Sequence, residues 1–174
     1  MATYFTSKLS LALILTTAAI SAATAGNSKL KQTNLILYLQ DFANGPNPTF
    51  IPVAGVAGKP WNFTQFGTIF VTDNPITARP DPNSKVLGRA QGIYTVAAAD
   101  GRNLLVVLTL ALVDGSSIAI QGTSQQFENV TELGVVSGTG KFRFARGFAV
   151  GKNVVIDIPN GYTLVQFNVT VKHY

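Results

Sequence analysis

Five ionisable side chains occur where the local pattern predicts a buried face or leaves room beside small residues, and together they could bind and protonate a phenolic ligand. Asp41 follows three leucines at every second residue, and Asp73 follows two β-branched residues at the same spacing. Arg146 alternates with phenylalanines, while Tyr94 and Arg89 lie on a strand rich in small residues. A charge in such a place costs several kcal/mol unless it is paired, hydrated or neutralised, so each position needs an explanation.

Two interpretations of these side chains stay open from the residues alone. In the functional one, carboxylates, arginines and a tyrosine converge in a pocket lined by Leu, Ile and Phe, which suits an aromatic ligand with phenol or carbonyl oxygens. Burial would raise the pKa of such carboxyls and let them act as acid or base. In the structural one, Asp41 and Asp73 are strand-end residues that pair with Arg89, Arg143 or Arg146, or that face water.

The elements that must position these side chains are β-strands, because apolar residues recur with period two and no long helical periodicity occurs. About eight strands at this spacing favour an antiparallel barrel over a sandwich. The predicted strands are Asn34–Asp41, Phe66–Asp73, Val86–Ala97, Asn103–Val113, Ser116–Gly122, Thr131–Ser137, Phe142–Val150 and a last strand over Thr163–Lys172.

Glycines support both the turns and the curvature of this fold. The pairs Asp100-Gly101 and Asp114-Gly115 each lie between apolar runs, which predicts two hairpins. Gly88, Gly92 and Gly147 lie inside predicted strands, where glycine is typical of bulges or bends.

Composition excludes several classes of protein. With 47% apolar and 12% charged residues, the chain is neither disordered nor a coiled coil. It has no cysteine and one histidine, His173, which excludes a disulfide framework, a Cys-based zinc or redox site and a His-rich metal site. The net charge of +5 is not clustered, so nucleic acid is not an expected partner. We expect neither a metal nor a cofactor, and no nucleophile elbow or phosphate loop is present.

The first 25 residues have the pattern of a secretory signal peptide. Lys8 supplies the positive region, Leu11–Ile20 the short apolar region, and Ala23 and Ala25 the small residues before a cleavage site. The apolar run is short for a membrane span. We therefore expect a soluble, secreted chain from residue 26 to residue 174, without a membrane anchor.

Three N-glycosylation sequons agree with an extracellular route. They begin at Asn62, Asn129 and Asn168, and the last of these faces outward in the predicted final strand. We predict that all three asparagines are glycosylation sites.

Long segments of the chain resemble the plant dirigent proteins, in the family's order and over almost all of residues 26–174. The segments that carry the resemblance are Leu35–Asp41, Gly45–Thr49 (GPNPT), Phe66–Thr77 (FGTIFVTDNPIT), Val86–Tyr94 (VLGRAQGIY), Ser137–Ala149 (SGTGKFRFARGFA) and Asn168–Tyr174 (NVTVKHY).

This resemblance implies an all-β, eight-stranded antiparallel β-barrel of the dirigent and allene oxide cyclase type, usually a homotrimer, glycosylated and secreted to the plant apoplast. It implies no oxidising activity of its own: an external oxidase or laccase makes phenoxy radicals, and the barrel directs their coupling to one stereoisomer of a lignan. Some relatives instead dehydrate an isoflavanol to a pterocarpan through a quinone methide.

The family motifs also imply the site. The residues predicted for catalysis are Asp41, Asp73, Tyr94 and Arg146. Those predicted to bind substrate are Arg143, Arg89, Phe144 and Thr77, although alternation places Arg143 on the opposite face from Arg146.

Three departures from the family pattern leave the substrate open. Gln40 stands where the family has a histidine, and Asn74 stands where it has a second acid. The turn Asp114–Ser117 is shorter than the family's loop and lacks its sequon.

Three functions are therefore weighed. The first is stereoselective coupling of monolignol radicals such as those of coniferyl alcohol, and the alternative is a dirigent-type lyase acting on an isoflavanol. The third is a wall protein that binds carbohydrate, for which Trp61 and Phe63 are the candidate sugar-stacking residues.

Overall fold

The computed structural model describes residues 29–174, in which nine β-strands and one short 3-10 helix are found. Their bounds are β1 Lys31–Phe42, β2 Phe50–Ala54, β3 Ile69–Thr77, β4 Val86–Val96, β5 Asn103–Leu112, β6 Ser117–Gln125, β7 Val130–Thr139, the 3-10 helix Gly140–Phe142, β8 Arg146–Asp157 and β9 Tyr162–His173. The predicted signal peptide lies outside the described residues. Within them, no helix has the length and hydrophobicity that a membrane crossing requires.

Eight of the strands close into an antiparallel barrel, which confirms the predicted fold. The order is β1-β9-β8-β7-β6-β5-β4-β3, and pairing of β1 with β3 at Tyr38–Thr77 and Leu39–Ile76 completes the ring. The short β2 pairs with the first half of β3, on the edge whose second half pairs with β1. Closure removes the free strand edges that would otherwise invite association.

The two ends of the barrel differ. At one end Ile76, Leu110, Ile118 and Val171 are fully buried. Phe142 of the 3-10 helix packs into the same end with its ring 5.2 Å from that of His173. This end is therefore filled with side chains, and the opposite end carries the cavity described below.

Each predicted strand corresponds to an observed one, but the strand predicted over Phe66–Asp73 begins and ends later, as β3. Two further differences concern the 3-10 helix and β2. The chain over 140–145 forms a 3-10 turn, so the strand predicted to start at Phe142 begins at Arg146. Phe144 even adopts a positive φ of 61°, which is incompatible with strand alternation. The other difference is β2, which was not predicted because its apolar run contains Pro52.

Two of the strand glycines permit close approach of neighbouring backbones. A Cβ atom at Gly92 would collide with the carbonyl oxygen of Val107 on β5, and one at Gly147 with that of Thr170 on β9. Both residues have φ of 156°. The close approach of neighbouring strands here thus requires glycine. The strand pairing is continuous at both residues, so neither of them marks the bulge that the sequence predicts.

Candidate active site

The open end of the barrel contains a cavity of about 470 Å³, within the usual range for small-molecule sites. Its wall is largely apolar and comes from strand ends that meet at this end of the barrel. The apolar lining side chains are Phe50, Phe63, Leu104, Val106, Phe127, Leu133, Ile156, Ile158, Val165 and Phe167. Such a lining fits a flat aromatic molecule, because burial of its rings is favourable at about 25 cal/mol per Å².

Asp41 reaches this cavity from β1, where it continues the inward face formed by Leu37 and Leu39. Burial raises its pKa from 3.8 to about 7, and a side-chain hydrogen bond from Asn74 opposes part of that rise. Desolvation dominates because the charged form loses water in an apolar cavity. Asp41 is therefore present in both protonation states near neutral pH and can donate and accept a proton.

Tyr94 reaches the same cavity from β4. Burial raises its pKa, and the negative charge of Asp41 adds to the effect, so the phenol keeps its proton. Its ring packs edge-on against Phe50 at 5.4 Å between centroids. A protonated phenol beside a titrating carboxyl supplies a hydrogen-bond donor to a ligand oxygen.

An aromatic cluster forms one wall of the cavity. Phe63 stacks on Phe70 at 4.5 Å and on Phe50 at 5.3 Å, so the loop that follows β2 is held over the barrel interior. Trp61 instead lies over Gly55 and is exposed. Both candidate sugar-stacking side chains are partly exposed, Trp61 at 47% and Phe63 at 43%, but only Phe63 lines the cavity.

Asp73 does not enter the cavity, contrary to the sequence-based expectation. Phe70, Thr72, Asn74 and Ile76 are the inward face of β3, so Asp73 points outward with Ile69 and Val71. The period-two pattern predicts a buried face for Ile69 and Val71, but both are only partly covered on the outer wall.

On that outer wall Asp73 pairs with Arg89, whose Nε lies 2.5 Å from Asp73 Oδ1. This hydrogen bond lowers the pKa of Asp73. Arg89, which was predicted to bind substrate, therefore also lies outside the cavity. The Asp73–Arg89 pair is the arrangement that the structural interpretation predicts, in which the aspartate pairs with an arginine.

The arginines of the 137–149 motif also lie outside. Arg146 is exposed opposite Lys172 on the outer face, and Arg143 follows the 3-10 helix with an exposed side chain. Phe144 is 72% exposed and packs edge-on against Tyr174. The alternation used to place Arg146 inside assumed a strand through 142–148, and that strand begins only at Arg146.

Thr77, the last predicted substrate contact, is fully buried but serves the fold. Its hydroxyl donates to the carbonyl of Arg79 and accepts a hydrogen bond from Gln40 Nε2, each at 2.8 Å. Gln40 in turn accepts a hydrogen bond from Tyr162 at 2.7 Å. The residue that replaces the family's histidine is thus fixed in a polar network, and Thr77 does not line the cavity.

Asn74 is a site residue that sequence reasoning noticed only as a missing acid. It is 2% exposed, faces inward and hydrogen-bonds Asp41. Its Oδ1 accepts a hydrogen bond of 2.6 Å from Thr49 Oγ1. The available signal was its spacing in β3: Asn74 lies two steps of the period-two alternation after Phe70 and one step before Ile76.

The titratable side chains that line the cavity are Asp41, Tyr94 and Glu128, and no arginine, lysine or histidine is among its described lining residues. Nor do the described residues contain a group of three or more His, Asp or Glu side chains arranged to hold a metal ion. The cavity can therefore orient a ligand by apolar packing and neutral hydrogen bonds, and it offers one group, Asp41, suited to proton transfer near neutral pH.

Comparison with known proteins places the chain among close relatives. The family model described as Dirigent-like protein matches residues 32–172. Pterocarpan synthase 1 of Glycyrrhiza echinata is 38% identical over 160 residues, which cover 89% of this chain and 85% of that relative. Dirigent protein 23 of Arabidopsis thaliana is 36% identical, with 83% of this chain and 80% of that relative covered.

A solved structure of a pterocarpan synthase dirigent protein has the same barrel. It superimposes with a TM-score of 0.80 at 38% identity and covers 86% of this chain and 94% of its own.

Proposed function

The chain belongs to the dirigent family, and on that premise we propose that it is a dirigent-type lyase, which dehydrates an isoflavanol or a related benzylic alcohol through a quinone methide. The observation that carries the proposal is Asp41, a carboxyl with a pKa of about 7 in an apolar cavity. The names of the pterocarpan synthases at 37–38% identity support the same class.

In the first step, protonated Asp41 donates its proton to the benzylic hydroxyl, which leaves as water. The substrate's para phenol loses its proton to solvent, and its electron pair forms the quinone methide. The apolar wall favours this step because it places few water molecules beside the electrophilic carbon.

In the second step, a second phenol of the substrate attacks that carbon and closes the ring. Asp41, now ionised, takes the proton of the attacking phenol, and the quinone oxygen regains a proton from solvent. Tyr94 stays protonated and donates a hydrogen bond to a substrate oxygen. The net change is loss of one water, and Asp41 returns to its starting state.

Stereoselective coupling of phenoxy radicals supplied by an external oxidase or laccase is the second candidate. The stacked cluster of Phe50, Phe63 and Phe70 favours it, because such a wall can hold aromatic rings in a fixed orientation. A bias of about 1.4 kcal/mol between competing orientations already gives a tenfold product ratio.

One pair of assays separates the two functions. We expect purified protein to convert an isoflavanol without any oxidant, and chiral chromatography to show one product enantiomer. In parallel, the protein is incubated with coniferyl alcohol and a one-electron oxidant. Enantiomeric excess only in the second assay would replace the lyase by the radical-coupling function, and racemic or absent product in both would reject both.

We also propose that the protein is secreted to the apoplast and glycosylated. Asn129 lines the cavity and Asn62 lies next to Phe63 of its wall, whereas Asn168 lies on the outer face of β9. Glycans on the first two would stand beside the cavity mouth.

If so, Asn62→Gln and Asn129→Gln are each expected to remove one glycan mass from protein made in plant cells and to change KM. Asn168→Gln should remove a glycan mass and leave KM unchanged. A secreted protein whose mass does not respond to any of the three substitutions would contradict the proposal.

Homotrimer formation is proposed on the support of an apolar row across the outer wall. Ile51, Val71, Ile93 and Val107 face one another on β2, β3, β4 and β5 and are all exposed. Such contiguous apolar surface is typical of association sites. A monomer mass by sedimentation velocity at micromolar concentration would reject it.

A further inference from the structure

The side chain of Asn74 lies between Thr49 and Asp41 and hydrogen-bonds both. We infer that Asn74 is a positioning residue whose amide is locked by Thr49 so that its NH₂ group donates to the Asp41 carboxylate. The orientation stands on the Thr49–Asn74 hydrogen bond and on the β1–β3 register, which continues from the Leu39–Ile76 pair to place Asp41 opposite Asn74. Only its consequence for turnover rests on the proposed lyase function.

The direction of the protons follows from the chain of partners. The backbone N–H of Phe42 donates to Thr49 Oγ1 at 3.1 Å, so that oxygen already accepts a hydrogen bond. The Thr49 hydroxyl proton is then directed at Asn74 Oδ1, 2.6 Å away. A flipped Asn74 would leave the Thr49 hydroxyl proton without this acceptor and would turn Oδ1 towards the Asp41 carboxylate, which also accepts, so Nδ2 is the Asn74 atom that faces Asp41.

Burial helps to hold the Asn74 amide in this orientation. Asn74 is almost completely enclosed and Thr49 is partly buried, so water does not compete freely for either group. A buried polar group that loses its hydrogen-bond partner keeps its full desolvation penalty, so the flipped state is disfavoured.

The effect on Asp41 is to favour its ionised form. The titratable side chains that line the same cavity from other elements are Tyr94 of β4 and Glu128 of the β6–β7 loop, and no cationic side chain is among the described lining residues. Tyr94 is neutral, so Asn74 is the neighbour whose hydrogen bond offsets the desolvation of the carboxylate. Without it, Asp41 would rarely ionise at neutral pH and would accept a proton poorly.

The same geometry explains what a carboxyl at position 74 would do. Two carboxyls at hydrogen-bond distance cannot both ionise easily, so the apparent pKa of the pair would spread and one would rise. With asparagine at position 74, Asp41 is the only carboxyl of the pair, and it both donates and accepts the proton of the proposed reaction around neutral pH.

The test is a ¹³C NMR titration of the Asp41 carboxyl in the full chain. Asn74→Leu and Asn74→Asp are each expected to raise its apparent pKa by about one unit or more. Thr49→Val, which frees the Asn74 amide to rotate, should raise it by less. Gln91→Leu removes an amide from the outer face of the same barrel wall, next to Asp73, and should leave Asp41 unchanged.

Near-UV circular dichroism checks that each variant keeps the barrel, and Thr49→Val keeps the test valid if both Asn74 variants unfold. An Asp41 titration that is unchanged in every folded Asn74 and Thr49 variant would overturn the inference. Because the titration needs no turnover, a shifted pKa without conversion of isoflavanol would reject the lyase and keep the role of Asn74. If the protein turns over, the acidic limb of its pH–rate profile should move with the NMR value.

Discussion

Asp41→Asn is expected to lower kcat for dehydration by about 100-fold or more, with KM changed much less. The substitution keeps the shape of the side chain and removes the one cavity group that gives and takes a proton near neutral pH. The loss should therefore fall on the chemical step, because the aromatic wall that binds substrate is untouched. Single-turnover kinetics with an isoflavanol measures this step directly.

Asp73→Asn is the matched control for that experiment. It makes the same chemical change on the outer wall, where Asp73 pairs with Arg89 and lies away from the cavity. We expect kcat within about twofold of the unmodified protein, as is usual for an exposed ion pair. A large loss for Asp73→Asn together with an active Asp41→Asn variant would reverse the assignment of the two aspartates.

The contrast between these aspartates shows what alternation can predict. Asp41 extends a face of alternating leucines, and because Leu37 and Leu39 are buried in the structure, the period-two pattern predicts its inward direction correctly. Asp73 extends Ile69 and Val71, which lie on the partly covered outer wall. Apolar residues on both faces of β3 make the phase of its alternation ambiguous from the sequence.

The arginines could not be placed for a different reason. Alternation holds only inside a strand, and the chain turns through a 3-10 helix just before Arg146. The signal for that turn was Gly138-Thr139-Gly140, which predicts a tight turn but not where the next strand begins. Inside the strand Arg146 shares its face with Phe148, which is itself exposed on the outer wall, so alternation with phenylalanines did not indicate the interior.

The remaining features of the site depend on contacts between distant segments. Phe63 reaches Phe70 and Phe50 through a loop without periodicity, and Thr49 reaches Asn74 across 25 residues of sequence. Barrel closure brings these segments together, and a single sequence carries no pairwise signal of it. The fold class was therefore predictable from local patterns, whereas the partners of Asp41 were not.

The burial that makes Asp41 reactive should also make it destabilising above neutral pH. The folded protein binds the Asp41 proton more tightly than the unfolded chain does, since its pKa is raised from 3.8 to about 7. The free energy of unfolding should therefore be unaffected by this group below pH 3.8, fall as pH rises towards 7, and level off above it. The full decrease is at most about 4 kcal/mol, because one pKa unit corresponds to about 1.4 kcal/mol.

Asp41→Asn should remove this decrease, so the inactive variant is expected to be more stable than the unmodified protein at pH 8 by up to about 4 kcal/mol and nearly equal to it at pH 4. Urea unfolding at several pH values between 4 and 8 measures the difference. Asp73→Asn should show a small effect of opposite sign, because its ion pair with Arg89 lowers that pKa. A difference between Asp41→Asn and the unmodified protein that stays constant from pH 4 to pH 8 would mean that Asp41 is not desolvated. The carboxyl would then be largely ionised at neutral pH and unable to protonate the leaving hydroxyl. Urea unfolding as a function of pH therefore tests, without any substrate, whether Asp41 has the raised pKa that the proposed reaction requires.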